Sequence, residues 1–326
     1  MIVGAASWGV TGAANAQVIR QDFYVTDGTV HAVALSGNTL YIGGEFGRVG
    51  PSTGGGIPID KASGTPASGF PKVLGSVIAV ASDGAGGWYI GGGFTTVGGM
   101  PRSNLAHILA DNTVSPWDPS VSGVVATLVV NRTTVYAGGV FSSIGGQARN
   151  NLAALDAATG LASAWVPNPD GQVNALAVNA TTVYAAGYFT SIGGQARNYL
   201  VALDATTGLA SAWDPNPDGQ VNALVVNATT VYAAGYFTSI GGQARNYLAA
   251  LDATTGLAPT WDPNPDGQVN ALAVDGTTVY AGGYFTSIGG QARNDLAALD
   301  AATGLATAWN PAPLAGSHLT TVARAS

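Results

Sequence analysis

The residues best spaced for chemistry lie in a nine-residue segment that occurs twice. The copies are Asp214-Pro-Asn216-Pro-Asp218-Gly219-Gln220-Val221-Asn222 and Asp262-Pro-Asn264-Pro-Asp266-Gly267-Gln268-Val269-Asn270. Oxygen-bearing side chains at its first, third, fifth and ninth positions, a carbonyl at the seventh and glycine at the sixth match the spacing of a calcium loop. Asp214, Asn216, Asp218, Asn222, Asp262, Asn264, Asp266 and Asn270 are therefore the metal-ligand candidates, and calcium is the only cofactor the sequence points to. The segment departs from that loop at its twelfth position, where Val225 and Ala273 stand in place of a bidentate glutamate. Its prolines stiffen a chain that would have to curl. In related copies Val166 replaces the first aspartate, and Asn310-Pro-Ala312 loses more of the pattern. The competing reading is a rigid turn that joins two repeats.

A second set is Arg149, Arg197, Arg245 and Arg293, each in Gly-Gly-Gln-Ala-Arg-Asn. A ring of guanidinium groups would suit an anionic ligand. The structural alternative is a pairing with Asp156 or Asp204, or bonds to loop carbonyls of the same repeat. Catalytic groups are scarce. The chain has three histidines (His31, His107 and His318), and Glu45 is its sole glutamate. Neither a His-Glu-x-x-His nor a Gly-x-Ser-x-Gly motif is present. His31 takes the place of Asn174, and Glu45 that of Tyr188, in a divergent copy that also holds Arg48, Asp60 and Lys61. Glu45 or Asp60 as general acid or base with His31 is the catalytic grouping on offer. His107 reads instead as a half-buried strand residue.

The elements that position these groups repeat every 48 residues. Phe141, Phe189, Phe237 and Phe285 keep that step, and so do Trp117, Trp165, Trp213, Trp261 and Trp309. Copies fall at about 28–75, 76–122, 123–170, 171–218, 219–266 and 267–314, the last four nearly identical. Each holds four strand-like runs, in the fourth copy Val173–Val178, Thr182–Phe189, Tyr199–Asp204 and Leu209–Trp213. Asp204-Ala-Thr-Thr-Gly208 has hairpin-turn chemistry, and Gly193-Gly194 breaks the longer connection. A fixed period with four strands per repeat predicts an all-β fold, a β-propeller with one blade per repeat. The recurring Trp and Phe read as blade-packing residues. Residues 1–27 and 315–326 together supply one more blade, so seven blades closed by both chain ends is the favoured architecture, with six as the alternative. The small apolar run Ile2–Ala13, followed by Ala14-Asn15-Ala16, also fits a truncated signal segment.

Composition narrows the partners. Apolar residues make up 47% of the chain and charged residues 9%, so Ser, Thr, Asn, Gln and Gly must cover the surface. A net charge of −7 argues against nucleic acid and against an anionic membrane surface. With no cysteine, thiolate metal sites and disulfides are excluded. No apolar run approaches the ~18 residues of a membrane span.

The pattern Val-Tyr-x-Gly-Gly-x-Phe-x-x-Ile-Gly-Gly-x-x-Arg-Asn-x-Leu-Ala-x-Leu-Asp, at residues 135–156, resembles the delta-60-type propeller repeat of bacterial secreted and surface proteins. It is similar also to the repeats of fungal cortical polarity-marker proteins. The resemblance covers about residues 28–314 and implies the blade, with no common catalytic motif to carry over. Two functions follow as expectations. One is a noncatalytic secreted or cell-surface scaffold that binds a glycan, matrix polymer or protein partner. The other is a hydrolase or lyase acting on a polymer, with its site near the first two blades.

Overall fold

The middle run of each repeat is apolar almost throughout, which requires cover on both faces. In Thr182–Tyr188 the five residues from Val183 to Gly187 are all buried. The computed structural model describes residues 29–36, 39–45, 55–60, 63–65 and 69–311, and shows how that cover is supplied. Gln172–Asn179 pairs antiparallel with Thr182–Tyr188, which pairs in turn with Leu200–Asp204. Among the described residues, each of the four middle sheets lies between two neighbours, which cover both of its faces. No helix occurs among the described residues.

The fold is a β-propeller, and six blades stand among the described residues. Their inner strands are Thr29–Ser36, Val73–Ser82, Val124–Asn131, Gln172–Asn179, Val221–Asn227 and Val269–Asp275. Successive inner strands touch in chain order around the axis. The closing blade expected from residues 1–27 and 315–326 lies outside the described residues, as does the signal-segment alternative.

The fourth run of a blade is the slightest, held in blade 4 by one bridge between Leu203 and Ala210. The Ser211 amide adds a 2.9 Å bond to the Ala202 carbonyl. Blade 5 has Pro259 at this position, which carries no N–H to repeat that bond. Gly193 and Gly194, with φ of 60° and 78°, turn a small hairpin between Ser191–Ile192 and Gln195–Ala196. Two consecutive residues with positive φ are what such a two-residue turn requires.

Tryptophan joins the blades. Trp165, in the fourth run of blade 3, stacks edgewise on Tyr136 of its own blade at 5.2 Å. Its indole N–H donates to the Asp204 carbonyl of blade 4 at 3.0 Å. Trp117, Trp213 and Trp261 make the same bond one blade on. Around Trp165, one apolar cluster takes Leu152 and Ala154 from blade 3 and Val173, Val183 and Phe189 from blade 4.

Candidate functional site

Strand register sorts the candidate residues to the two ends of the propeller. The end of each middle strand faces the start of its inner strand: Thr29 opposite Glu45, Val124 opposite Val140, Gln172 opposite Tyr188. The Asp-x-x-x-Gly turns lie at the other end, where Asp204 is opposite Thr182 and Asp60 opposite Thr39. Six residues of strand, about 20 Å at 3.3 Å per residue, therefore separate Asp60 from Glu45. Asp60 accepts bonds from the Ser63 amide and hydroxyl, both at 2.7 Å. The expected catalytic grouping thus reduces to His31 and Glu45, whose Nε2 and Oε1 lie 3.6 Å apart. Arg48 and Lys61 lie outside the described residues.

The calcium-like segments do not present one set of oxygens. Asp214 faces the Arg197 guanidinium at 3.7 Å, and Asp262 faces Arg245 at 3.6 Å. Asn216 Oδ1 accepts from Asn198, and Asn264 Oδ1 from Asn246. Asp218 Oδ1 accepts from the Thr238 and Ser239 amides, and its Oδ2 accepts from the Thr238 hydroxyl at 2.6 Å. Asp266 is held the same way by Thr286 and Ser287. Asn222 Oδ1 accepts from Gln220, and Asn270 Oδ1 from Gln268. The oxygens expected to converge on a cation thus each serve a different neighbour, and they do not fit one calcium ion. Burial opposes the charge on Asp218, but the three donated bonds outweigh it and keep its carboxyl below the usual range. Asp170 and Asp266 are lowered with the same causes.

The arginines close their own blades. Arg197 donates to the Ala196 carbonyl at 2.8 Å and to the Ser211 carbonyl at 2.8 Å, tying the small hairpin to the fourth run. Arg149, Arg245 and Arg293 make the equivalent bonds. Asp204 does not pair with arginine. It caps its own turn, where bonds from the Thr207 hydroxyl and amide lower its pKa.

Spacing gave no signal for a pair that lies 24 residues apart. His107 Nε2 sits 3.0 Å from Asp83 Oδ2, and both side chains are largely buried. His107 stacks on Tyr89 at 4.3 Å, and the Tyr89 hydroxyl donates to the Ala157 carbonyl of blade 3. Burial opposes the Asp83 charge, but bonds from His107, Ala85 and Gly87 prevail and lower its pKa. The pair is internal to blade 2 and packs against Tyr89, whose hydroxyl makes the bond to blade 3.

Exposed chemistry gathers instead at the Gln172–Tyr188 end of blades 4 to 6. Tyr188, Tyr236 and Tyr284 are 64%, 57% and 44% exposed, at the position Glu45 and Val140 occupy in blades 1 and 3. Tyr199 and Tyr247 are half-buried beside them, with φ of 61° and 60°. A bulky residue seldom adopts this left-handed backbone. Asn104 and Asn151 hold the equivalent place in blades 2 and 3 and use their side chains there. Asn104 accepts from the Phe94 amide at 3.0 Å and donates to the Val121 carbonyl at 3.1 Å. Tyrosine makes neither bond. In blade 4 the rings of Tyr188 and Tyr199 stand 6.0 Å apart at 50°. The signal was available in the sequence as Asn-Asn, Asn-Tyr, Asn-Tyr and Asn-Asp after the repeated arginine.

Comparison with known proteins supports the architecture. No model of a known protein family matches the chain, and none of the curated proteins matches it. Among solved structures, a chain of the mitotic checkpoint complex is similar at TM-score 0.62 and 11% identity, over 100% of this chain and 93% of that one. The computationally designed Ika8 protein matches at TM-score 0.58 and 15% identity, over 90% and 76%. The Pan2 WD40 domain of Neurospora crassa matches at 0.52 and 13%, over 77% and 71%. The likeness extends to the fold, and it places the chain among the β-propellers.

Proposed function

We propose that this chain is a noncatalytic binding propeller of the delta-60-repeat type, secreted or displayed at a cell surface, and that it holds a neutral glycan polymer. The observation that carries this reading is the row of tyrosines on blades 4 to 6. Beside this row, Tyr199 and Tyr247 replace an asparagine cap at a backbone position that penalises a large ring. Strain of this kind points toward function when the surrounding fold enforces it.

The chemistry suits sugar rings. A phenol face covers the C–H face of a pyranose and leaves a hydroxyl at its edge. Gln172 begins the inner strand of blade 4, and Gln220 and Gln268 directly precede those of blades 5 and 6, so amide side chains lie at the same end as the rings. Packed sheets lie about 10 Å apart, so the row repeats on the scale of a disaccharide along a β-linked polymer. Equivalent weak sites on one rigid body gain from effective concentration.

Retention on insoluble cellulose, chitin and xylan tests the proposal. A Tyr188→Ala/Tyr236→Ala/Tyr284→Ala variant should lose retention at least tenfold at an unchanged melting temperature. Equal retention by variant and parent on every polymer retained overturns it, as does failure of all three to retain the parent. The His31–Glu45 pair favours a second reading, a polymer hydrolase or lyase. Turnover that a Glu45→Gln variant loses would establish that reading instead.

A further inference from the structure

The inner strands carry one feature that the repeat pattern conceals. Each has a β-bulge at the same register: between Val30 and Ala32, Val77 and Ala79, Val125 and Thr127, Val173 and Ala175, Val221 and Ala223, Val269 and Ala271. A bulge inserts one unpaired residue and re-aims its side chain. The inserted residues are His31, Ile78, Ala126, Asn174, Asn222 and Asn270. His31, Ile78, Ala126 and Asn174 wall a cavity of about 380 Å³ along the inner strands of blades 1 to 4. That volume falls at the small end of ligand-binding cavities.

The lining mixes two chemistries: Ile78, Val80 and Leu128 are apolar, whereas His31, Thr127 and Asn174 can form hydrogen bonds. Asn174 is oriented in advance. Its Oδ1 accepts from Gln172 at 2.6 Å, and its Nδ2 donates to Asn222 Oδ1 of the next blade at 3.3 Å. The described lining residues include no carboxylate, and the Glu45 carboxylate lies 3.6 Å from His31 with its side chain 63% exposed.

We propose that this axial cavity is a second binding site, for one uncharged polyhydroxylated ring such as a pyranose or a cyclitol. The ring sets its C–H face on Ile78 and Leu128 and turns its hydroxyls to Asn174, Thr127 and His31. Amides and a hydroxyl both donate and accept, as a hydroxyl does, and this matches an uncharged polyol better than an ion. The site shares no residue with the tyrosine row and stands independently of it.

The experiment is titration calorimetry of the full chain with free methyl glucoside, methyl galactoside, methyl mannoside and myo-inositol. At least one should bind in the millimolar range. Asn174→Leu should weaken that binding about tenfold or more, the equivalent of about 1.4 kcal/mol. Ala126→Leu, which fills the cavity from a neighbouring strand without breaking an amide bond, should do the same and decides the matter if Asn174→Leu fails to fold. Tyr188→Ala should leave it unchanged. The proposal is overturned if none of the four binds, if binding survives in Ala126→Leu, or if Tyr188→Ala abolishes it.

Discussion

Replacing Tyr199 by asparagine should make the protein more stable and a poorer binder. The left-handed backbone costs a non-glycine residue about 1–2 kcal/mol, and asparagine is among the side chains that tolerate it. By the pattern of Asn151, the new side chain would accept from the Phe189 amide and donate to the Pro217 carbonyl. Two such bonds contribute about 0.5–1.5 kcal/mol each. Against this stands the loss of a half-buried ring, which packs on the apolar cluster between blades 4 and 5 and on Tyr188. Partial burial and the ring contact together are worth about 2 kcal/mol. The balance is a gain of about 1 kcal/mol, or a rise in melting temperature of about 1–2 °C for a chain of this size. Urea denaturation and calorimetry read the stability, and retention on polysaccharide reads the binding. A variant less stable by about 1 kcal/mol would show that Tyr199 serves packing. A more stable variant with retention intact would separate the strain from binding. Either result refutes the reasoning.

The hydrogen-bonded loops predict that melting curves taken with excess chelator and with excess calcium superimpose; a calcium-dependent rise would restore the metal reading. Arg197→Met strips donors from the Ala196 and Ser211 carbonyls and should cost about 2 kcal/mol in urea denaturation, and Arg197→Lys should recover only part of this. Trp213→Ala removes the plug between blades 4 and 5 and its bond to the Asp252 carbonyl, for a loss of about 3–5 kcal/mol in the same assay. Asp170, Asp218 and Asp266 have lowered pKa values in the folded chain. Their stabilisation is complete above the unfolded carboxylate value of about 3.9 and is lost as pH falls through the lower folded values. Melting temperature should therefore hold between pH 7 and pH 5 and drop below pH 4, with a shallower drop in Asp218→Asn.

The blades were legible because each depends on local pattern. Burial on both faces makes Thr182–Tyr188 a continuous apolar run, and a two-residue turn with positive φ demands Gly193-Gly194. The partners of the charged groups were not legible, because linear spacing gives no direction in space. Arg197 lies seven residues from Asp204 and seventeen from Asp214, yet it meets Asp214, because Asp204 is already bound within its own turn. Asp218 looked like a cation ligand for a similar reason. A short acidic turn has the same residue types whether its oxygens receive a metal or the amides of Thr238 and Ser239. Only the position of the next hairpin, twenty residues on, distinguishes the two.

Near-identity between blades also changes what a difference means. Blades 4 to 6 share their arginines, tryptophans and turns, and those residues prove to hold the blades together. Where the copies differ, packing is not the constraint, so the differences locate chemistry. Asparagine becomes Tyr199 and Tyr247 at one end of the stack. Asparagine, isoleucine, alanine and His31 alternate in the bulge at the axis. The first substitution acts against backbone preference at the surface, and the second brings polar and apolar side chains together along the inner strands. Neither substitution is required by the blade pattern, and we assign both to contacts with a sugar ring.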